Sequence, residues 1–428
     1  MSIAIFSLFI AIGMMRFILP FRVLEIGKTE EDVTFLSTYL SIGQLIGLLV
    51  VTFTSRLKTQ HLFLIGISFE MIAIAGEVFT SDIAIFAFCR IIEGIGLSII
   101  TIVAITHGTE LVTGRMGETI GVITGMMILG GAIGQGIAGI SYELLKNNST
   151  SSKDVLVGAL GFAFIALLLS LLIPSRERTI SDSHFHFKML GRLLHKRLFV
   201  VLGLIYLLYD FAHGIYTPNL VVFLEDKRNI PLWQSGLAFM IGDGAWGFMQ
   251  IWAGKLVDQY GVKYPLIIGL IGKSLAIVGY LFTGSFWVLI AILVLVAFAE
   301  SLVEPSRNTF AMSFSGTPII MHSHYHTHST DLHNMVVDKH VSKKESQEPS
   351  DHMLIDENNS HDHTHDHYNS ESFVLSILQI IGIVGYGLGA SYGGLMLHMG
   401  YSLGSQIAQG IIPLALAAVI TMAYKSKK

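Results

Sequence analysis

The chain is poor in the residues on which soluble enzymes and secreted domains depend. Charged residues make up 14% of its 428 residues, and it holds 9 prolines and a single cysteine, Cys89. One cysteine excludes a disulfide within the chain. So little charge beside 52% hydrophobic residues excludes an ordinary soluble domain and indicates a protein that crosses a membrane several times.

Motifs for nucleotide or peptide chemistry are also missing. The sequence has no Walker-type loop and no HExxH zinc-protease motif, and its glycine-rich spacings fall inside apolar runs rather than after a strand. No polar segment is long enough to form a domain that hydrolyses ATP. We therefore expect no enzymatic activity, no required cofactor and no nucleic-acid partner, and we expect an ion gradient to supply the energy for transport.

What the sequence has instead is a series of apolar runs. A helix needs about 20 residues to cross a hydrocarbon layer of roughly 30 Å, and twelve runs are of about that length. They predict an all-α membrane protein with twelve transmembrane helices in contact with the lipid bilayer. The runs cover residues 3–24, 33–54, 61–80, 83–107, 118–142, 155–174, 198–222, 233–254, 264–283, 286–304, 371–396 and 403–424.

The distribution of basic residues predicts the orientation of these helices. No basic segment precedes the first run and Arg16 lies inside it, so this run is interpreted as a retained helix rather than a signal peptide. Most of the lysines and arginines between the runs fall on the side that carries both termini. The positive-inside rule therefore predicts a multi-pass protein of the plasma (inner) membrane of a bacterial-type cell, with both termini in the cytoplasm.

A polar link at residues 175–197 divides six predicted helices from six. The division indicates two six-helix bundles, formed by residues 1–174 and 198–428, with the link in the cytoplasm. Within the second bundle the apolar signal disappears at residues 313–370, where Ser, Asp, Glu, Asn, Lys and His dominate. This composition predicts a disordered cytoplasmic loop.

The turn after the eighth run carries the pattern GKLVDQYGVK, with Gly254, Asp258, Gly261 and Lys263. Such a turn suits a short loop that holds two helices together and can release them. With these residues the chain resembles the major facilitator superfamily, whose loop between helices 2 and 3 carries GxxxDxxGxR/K and repeats it in the second half. The copy of this pattern in the first half keeps Arg56, but other residues replace the acidic residue and the glycine of the family pattern.

Two further segments extend the resemblance. RIIEGIG in the fourth run matches the family's RxxxGxG through Arg90, a segment that the family associates with proton coupling. The fifth run is similar to the family's antiporter motif, with Gln135 in place of its proline; ordinary helix packing by small residues is the alternative. The glycines of this motif are Gly121, Gly130, Gly134 and Gly139. The resemblance implies two bundles that rock around a central cavity, a monomer, and export driven by inward proton movement.

Charged residues inside the apolar runs are the candidates for transport. A charge at the bilayer centre costs about 2.5–3.5 kcal/mol on insertion scales, so such residues usually face a cavity; structural ion pairs are the alternative. The runs contain Arg16, Glu70, Glu77, Arg90, Glu93, Asp210, His213, Asp243, Lys273, Glu300 and Glu304. Those expected to carry transport and proton coupling are Arg16, Arg90, Glu93, Asp210, His213, Asp243 and Glu300.

Two pairs share a helix face. Asp210 and His213 are three residues apart, and a carboxylate beside an imidazole binds a divalent cation or exchanges a proton, unless the two simply satisfy each other. Glu300 and Glu304 are four apart and could share a proton. The alternative places Glu304 in solvent with Arg307 at the end of a helix that the following proline ends or bends.

Eleven of the 18 histidines lie between His322 and His367. Alternating histidines in a flexible chain let several imidazoles converge on one cation, so the loop predicts a bound divalent metal such as zinc or nickel. The alternatives are that the loop concentrates a transported metal, that it senses or buffers the metal, or that it has no role. The two clusters comprise His322, His324, His326 and His328, and His361, His363, His365 and His367.

The sequence as a whole predicts a proton-coupled exporter of a small solute, with zinc, nickel or cobalt favoured by the histidines. One alternative is efflux of a drug or an organic metabolite, with the loop only regulatory. A second is a membrane metal sensor or buffer without flux.

Overall fold

The computed structural model describes residues 1–53, 58–111, 116–146, 151–173, 197–312 and 362–424. Regular structure in these ranges is helical throughout. The helices are α1 (Ser2–Glu25), α2 (Glu30–Phe53), α3 (Thr59–Phe79), α4 (Ile83–Leu111), α5 (Met116–Leu145), α6 (Ser151–Ser170), α7 (Arg197–Tyr216), α8 (Leu220–Arg228), α9 (Leu232–Tyr260), α10 (Lys263–Phe282), α11 (Phe286–Met312), α12 (Asp362–His398), α13 (Leu403–Gln409) and α14 (Ile411–Ala423).

Eleven segments of the described chain are long and apolar enough to cross a membrane, with α13 and α14 counted together. The eighth predicted span forms α9, which has 29 residues and is therefore about 43 Å long. It is long enough to cross but less apolar than the others, because polar Gln234 and Asp243 and several glycines interrupt it. The prediction of an all-α membrane fold is confirmed.

Three predicted spans differ from the structure at a proline or a glycine. The seventh was wrong as one continuous helix: α7 ends at Tyr216 and α8 begins only at Leu220, because Pro218 between them has no N–H and disfavours helix in the residue before it. The twelfth is interrupted at Gly410. The tenth does not end at Pro305, which lies inside α11, because one missing backbone hydrogen bond does not terminate a well-packed helix.

The helices pack as two halves. In the first half, α1 packs on α5 and α6, α2 on α4, and α3 on α4 and α6. In the second half, α7 packs on α12 and α14, α9 on α11, and α10 on α11 and α14. Two helix pairs make most of the contact between the halves, α5 with α9 and α2 with α12. Close approach of these helices depends on small residues: a methyl group at Gly139 of α5 would lie 3.0 Å from the Cα of Gly236 in α9.

Polar contacts between the halves concentrate at the end that carries the α1–α2 and α7–α8 connections, here called the joined end. Asn219 donates to the backbone oxygen of Glu30 at 3.0 Å and to Thr34 Oγ1 at 2.7 Å. His398 Nδ1 lies 3.0 Å from a Glu31 carboxylate oxygen. These contacts close the joined end around the cavity described next.

Candidate functional site: a cavity between the halves

A cavity of about 400 Å³ lies between the two halves. Helices α1 and α5 of the first half and α7 to α11 of the second contribute to its wall. Its aromatic lining consists of Phe17, Tyr209, Tyr216, Phe239, Trp246 and Tyr280. Its ionisable lining consists of Arg16, Asp210, His213, Asp243, Glu300, Glu304 and Arg307. Five of the seven residues expected to carry coupling therefore face one cavity, whereas Arg90 and Glu93 are absent from its lining.

Asp210 forms an ion pair across the cavity wall. Its Oδ2 lies 3.2 Å from Nη1 of Arg307 on α11. The Arg307 guanidinium also sits over the rings of Tyr206 and Tyr209, at 4.3 and 4.4 Å from their centroids. The cation and its two aromatic neighbours thus hold the Asp210 carboxylate in place.

His213 has aromatic neighbours rather than a carboxylate partner. Its ring stacks on Tyr216 with 5.5 Å between centroids and meets Tyr209 and Tyr386 edge-on. Although it faces the same cavity as Asp210, that carboxylate is bonded to Arg307. The sequence could not reveal this partner, because Arg307 lies on a helix 97 residues away.

Glu300 belongs to a buried network. Its carboxylate forms an ion pair with Lys273 of α10 and accepts a hydrogen bond from the Tyr209 hydroxyl. Lys273 is fully buried, donates to the Tyr209 oxygen at 2.8 Å and lies 4.2 Å from the centroid of that ring. Lys273 therefore acts with Glu300 as one charge-neutral unit.

Glu304 has a separate partner from Glu300. It accepts a 2.6 Å hydrogen bond from Nε2 of Gln250 on α9 and lines the cavity. The structure does not favour the alternative of a freely solvated Glu304 beside Arg307, because Glu304 is only partly exposed and is bonded to Gln250.

Asp243 links the two halves. Its Oδ2 accepts a 2.8 Å hydrogen bond from Nε2 of Gln135 on α5. Gln135 occupies the position at which the antiporter motif of the family has proline. The substitution therefore supplies a neutral amide that bonds an acid of the opposite half, beside the cavity.

Arg16 is the charged residue of the cavity with the weakest pairing. Its side chain is 44% exposed although it lies in the middle of α1, and its nearest acid is Glu93, at 3.9 Å. Glu93 already pairs with Arg90. Within the described residues, no hydrogen bond of the Arg16 guanidinium is found.

The other charges of the first half are buried away from the cavity. The Arg90–Glu93 pair is almost inaccessible, and Arg90 Nη1 also lies 3.5 Å from the Met15 sulfur. Glu70 and Glu77 on α3 are fully buried, and none of their four carboxylate oxygens has a hydrogen-bond partner in the described part of the chain. The sequence marked both as intramembrane acids but offered no partner for either.

The glycines of α5 are packing positions. A methyl group at Gly134 would overlap the carbonyl oxygen of Ile10 and lie 2.9 Å from the amide nitrogen of Met14. Gly130 faces the α1 backbone in the same way, and Gly139 faces α9. Small residues here let helix backbones touch, which agrees with the packing alternative and with the antiporter-like motif alike, while the surroundings of Gly121 lie outside the described residues.

The turn between α9 and α10 has an unexpected partner. Gly261 has a φ of 72°, which favours glycine. Lys263 Nζ donates to the backbone oxygens of Met422 and Tyr424 at 2.9 and 2.8 Å, and so caps the end of α14. Asp258 is exposed, Gly254 has open space around it, and Arg56 lies outside the described residues.

The predicted metal ligands fall mostly beyond the described ranges. His322, His324, His326, His328 and His361 lie outside the described residues. The first turns of α12, which begins at Asp362, contain His363, His365 and His367, whose side chains lie outside the described part of the structure. Across the described ranges, no group of three His, Cys, Asp or Glu side chains could hold a metal ion.

Solved structures with the same fold are transporters. The nucleoside transporter NupG matches at a TM-score of 0.71, with 11% identity over 99% of this chain and 98% of that one. The bacterial homologue of the human lysosomal transporter Spinster, in an inward-facing and unoccupied conformation, matches at 0.65, with 13% identity over 98% and 95% of the two chains. At these identities the likeness establishes the fold alone.

A search of curated proteins found no match to the sequence. The sequence model of the Major Facilitator Superfamily matches residues 1–327, which is most of the chain. Together with the helical fold, this match means that the protein belongs to the Major Facilitator Superfamily and is a transporter, not an enzyme.

Proposed function

We propose that this protein is a proton-coupled secondary active transporter that exports a small organic solute through the cavity between its halves. Both halves contribute to the cavity wall, and polar contacts at the joined end close it there. Rocking of two bundles around a fixed site gives alternating access in transporters built this way. Export is the direction implied by the antiporter-like α5.

The lining of the cavity is the observation that supports an organic solute. Six aromatic side chains surround a volume of about 400 Å³, which is the size and character of sites for small organic molecules. Asp210 and His213 are the pair that most resembles a metal site, but Asp210 is bonded to Arg307 and the His213 ring stacks on Tyr216. A transition metal would need three or four ligands converging on one point.

Proton coupling is supported by the partners of the cavity acids. Protonating Asp210 or Glu300 breaks an ion pair, with Arg307 or Lys273. Protonating Asp243 breaks none, because its partner is the neutral amide of Gln135. Asp243 is therefore the best-placed carrier: a proton bound from outside displaces the solute, and its release inside restores affinity.

Export of zinc, nickel or cobalt is the second candidate, because eleven histidines lie between His322 and His367. A predicted cytoplasmic chelating loop suits an exporter, since it would collect the ion on the side from which it leaves. A sensor or buffer that binds metal without flux is the remaining possibility.

The experiment uses inside-out vesicles that contain the full chain and an imposed pH gradient. Proton release is followed with a pH-sensitive dye after adding organic cations, anions, zwitterions, or zinc, nickel and cobalt. We expect release with an organic solute, its loss in Asp243→Asn, and its retention in Asp226→Asn, a control at an exposed site of α8. Release with the metals alone would favour the second candidate. Tight metal binding without any flux would leave a sensor.

A further inference from the structure

We infer that Arg16 and Asp243 are the two poles of a binding site for an aromatic zwitterion, a solute that carries a carboxylate and an ammonium group beside an aromatic ring. This inference names the solute class of the cavity and rests on the proposed function.

The cationic pole follows from the pairing of the basic residues. Arg90, Lys273 and Arg307 each have a carboxylate partner. Within the described residues, the carboxylate partner of Arg16 is limited to the distant oxygen of Glu93, at 3.9 Å, and its cavity-lining side chain is 44% exposed. A guanidinium in a membrane helix usually marks a substrate path when it faces a cavity. Its planar fork matches the two oxygens of a carboxylate.

The anionic pole follows from the same comparison among the acids. Asp210 and Glu300 are neutralised by cations. Among the described residues Asp243 has no cationic partner, since Gln135 supplies one hydrogen bond to Oδ2 and no charge. An ammonium group would supply the missing positive charge.

The two poles line the same cavity from opposite halves, Arg16 on α1 and Asp243 on α9. Phe17, the neighbour of Arg16, meets Phe239 edge-on at 6.2 Å between centroids. Phe239 lies one helical turn before Asp243 on α9, so both poles flank the same aromatic contact.

Trp246 adds an independent indication of a ligand. It lines the cavity one turn after Asp243, and its indole Nε1 is buried with no hydrogen-bond partner in the described part of the protein. A buried donor without an acceptor is unfavourable by about 1–3 kcal/mol. A carboxylate held by Arg16 would supply an acceptor, and the aromatic walls would receive the ring.

Glu304 is the competing acid, because its partner Gln250 is also neutral. It lies on α11 beside Arg307, however, and both residues of that bond belong to the second half. Of these two cavity acids, Asp243 is the one that bonds across the halves, through Gln135. An ammonium group bound to Asp243 would compete with a proton for the carboxylate, and it would also compete with the Gln135 bond that joins the halves. Binding of the solute, binding of the proton and the rocking of the halves would therefore be coupled at one carboxylate.

The test measures equilibrium binding to the purified full chain. Tryptophan, tyrosine and histidine are each compared with the amine that lacks the carboxylate and with the acid that lacks the ammonium. For at least one of the three sets, we expect the amino acid to bind at least tenfold more tightly than either analogue. Arg16→Gln should abolish the preference over the amine, and Asp243→Asn the preference over the acid.

Arg22→Gln is the matched control for charge on α1. Arg22 donates to the Val78 and Thr80 carbonyl oxygens and is absent from the cavity lining, so its loss should leave both preferences intact. Arg16→Lys keeps the charge and should retain part of the preference, which separates recognition from misfolding. Equal binding of amines and amino acids in every set, or preferences unchanged in Arg16→Gln, would overturn the inference.

The outcomes also separate this inference from the proposed function. Gradient-driven transport of an amine or another organic solute without discrimination would overturn the inference and leave the proposed function in place. Flux of zinc, nickel or cobalt with no organic solute transported would contradict both.

Discussion

The two halves use intramembrane charge differently. In the first half, Arg90, Glu93, Glu70 and Glu77 are buried among α3 and α4, away from the cavity, and only Arg16 reaches it. In the second half, every acid that faces the cavity has a defined partner on another helix. The first half thus holds charge in its interior, whereas the second arranges charge along the solute path.

Removing Lys273 should have the largest effect. Lys273→Met leaves Glu300 with the Tyr209 hydroxyl as its remaining described partner. We therefore expect the free energy of unfolding to fall by about 3–5 kcal/mol and transport to be lost. The double variant Lys273→Met with Glu300→Gln removes both charges and should recover most of the stability. Thermal unfolding in detergent compares both variants with the unaltered protein. A double variant no more stable than Lys273→Met would show that the pair is not an isolated unit.

Gly134→Ala should have the next largest effect. The added methyl group would overlap the Ile10 carbonyl oxygen, forcing α1 and α5 apart at a destabilisation of about 1–3 kcal/mol. Gly125→Ala on the same helix is the matched control, since no atom outside its own helix lies within 4 Å of the new group. There alanine should be neutral or stabilising by up to about 1 kcal/mol. Equal melting temperatures for the two variants would refute a backbone contact at Gly134.

The sequence predicted the fold more fully than the site. Apolar length predicts membrane helices because the bilayer constrains every span alike, and the family motifs then fix their arrangement. The exceptions have local causes, such as Pro218 between α7 and α8. Five cavity residues were predicted because a charge inside an apolar run is costly in lipid and therefore usually faces a cavity. Their partners were not, since Asp210 meets Arg307 and Asp243 meets Gln135 only through helix packing.

Glu77→Gln should change stability little, by less than about 1 kcal/mol. The isosteric amide replaces a carboxyl group that has no hydrogen-bond partner in the described residues, so no bond is lost. Glu93→Gln is the comparison in the same half, because it removes the partner of buried Arg90 and should be markedly more destabilising. Unfolding midpoints of the two variants test the ranking. A Glu77→Gln loss as large as that of Glu93→Gln would indicate that Glu77 carries a structural charge.

The smallest expected effect lies at the joined end, where Glu225 of α8 faces Lys146 across the halves at 3.8 Å. Burial raises the pKa of the Glu225 carboxyl, and Lys146 offsets this only in part. If the joined end opened to water, the pKa would return to about 4.3. A raised pKa in the closed form means that the closed form takes up the proton, so its advantage is full below the ordinary pKa and is lost as pH rises through the raised one.

Spin labels on Thr29→Cys and Tyr401→Cys, in a Cys89→Ala background, would report the separation of the halves at the joined end. We expect the population with a short distance to grow as pH falls through that window, and the pH dependence to disappear in Glu225→Gln, which cannot titrate. Asp226→Asn, the exposed neighbour, should keep it. The same dependence in Glu225→Gln would show that Glu225 is not the group responsible.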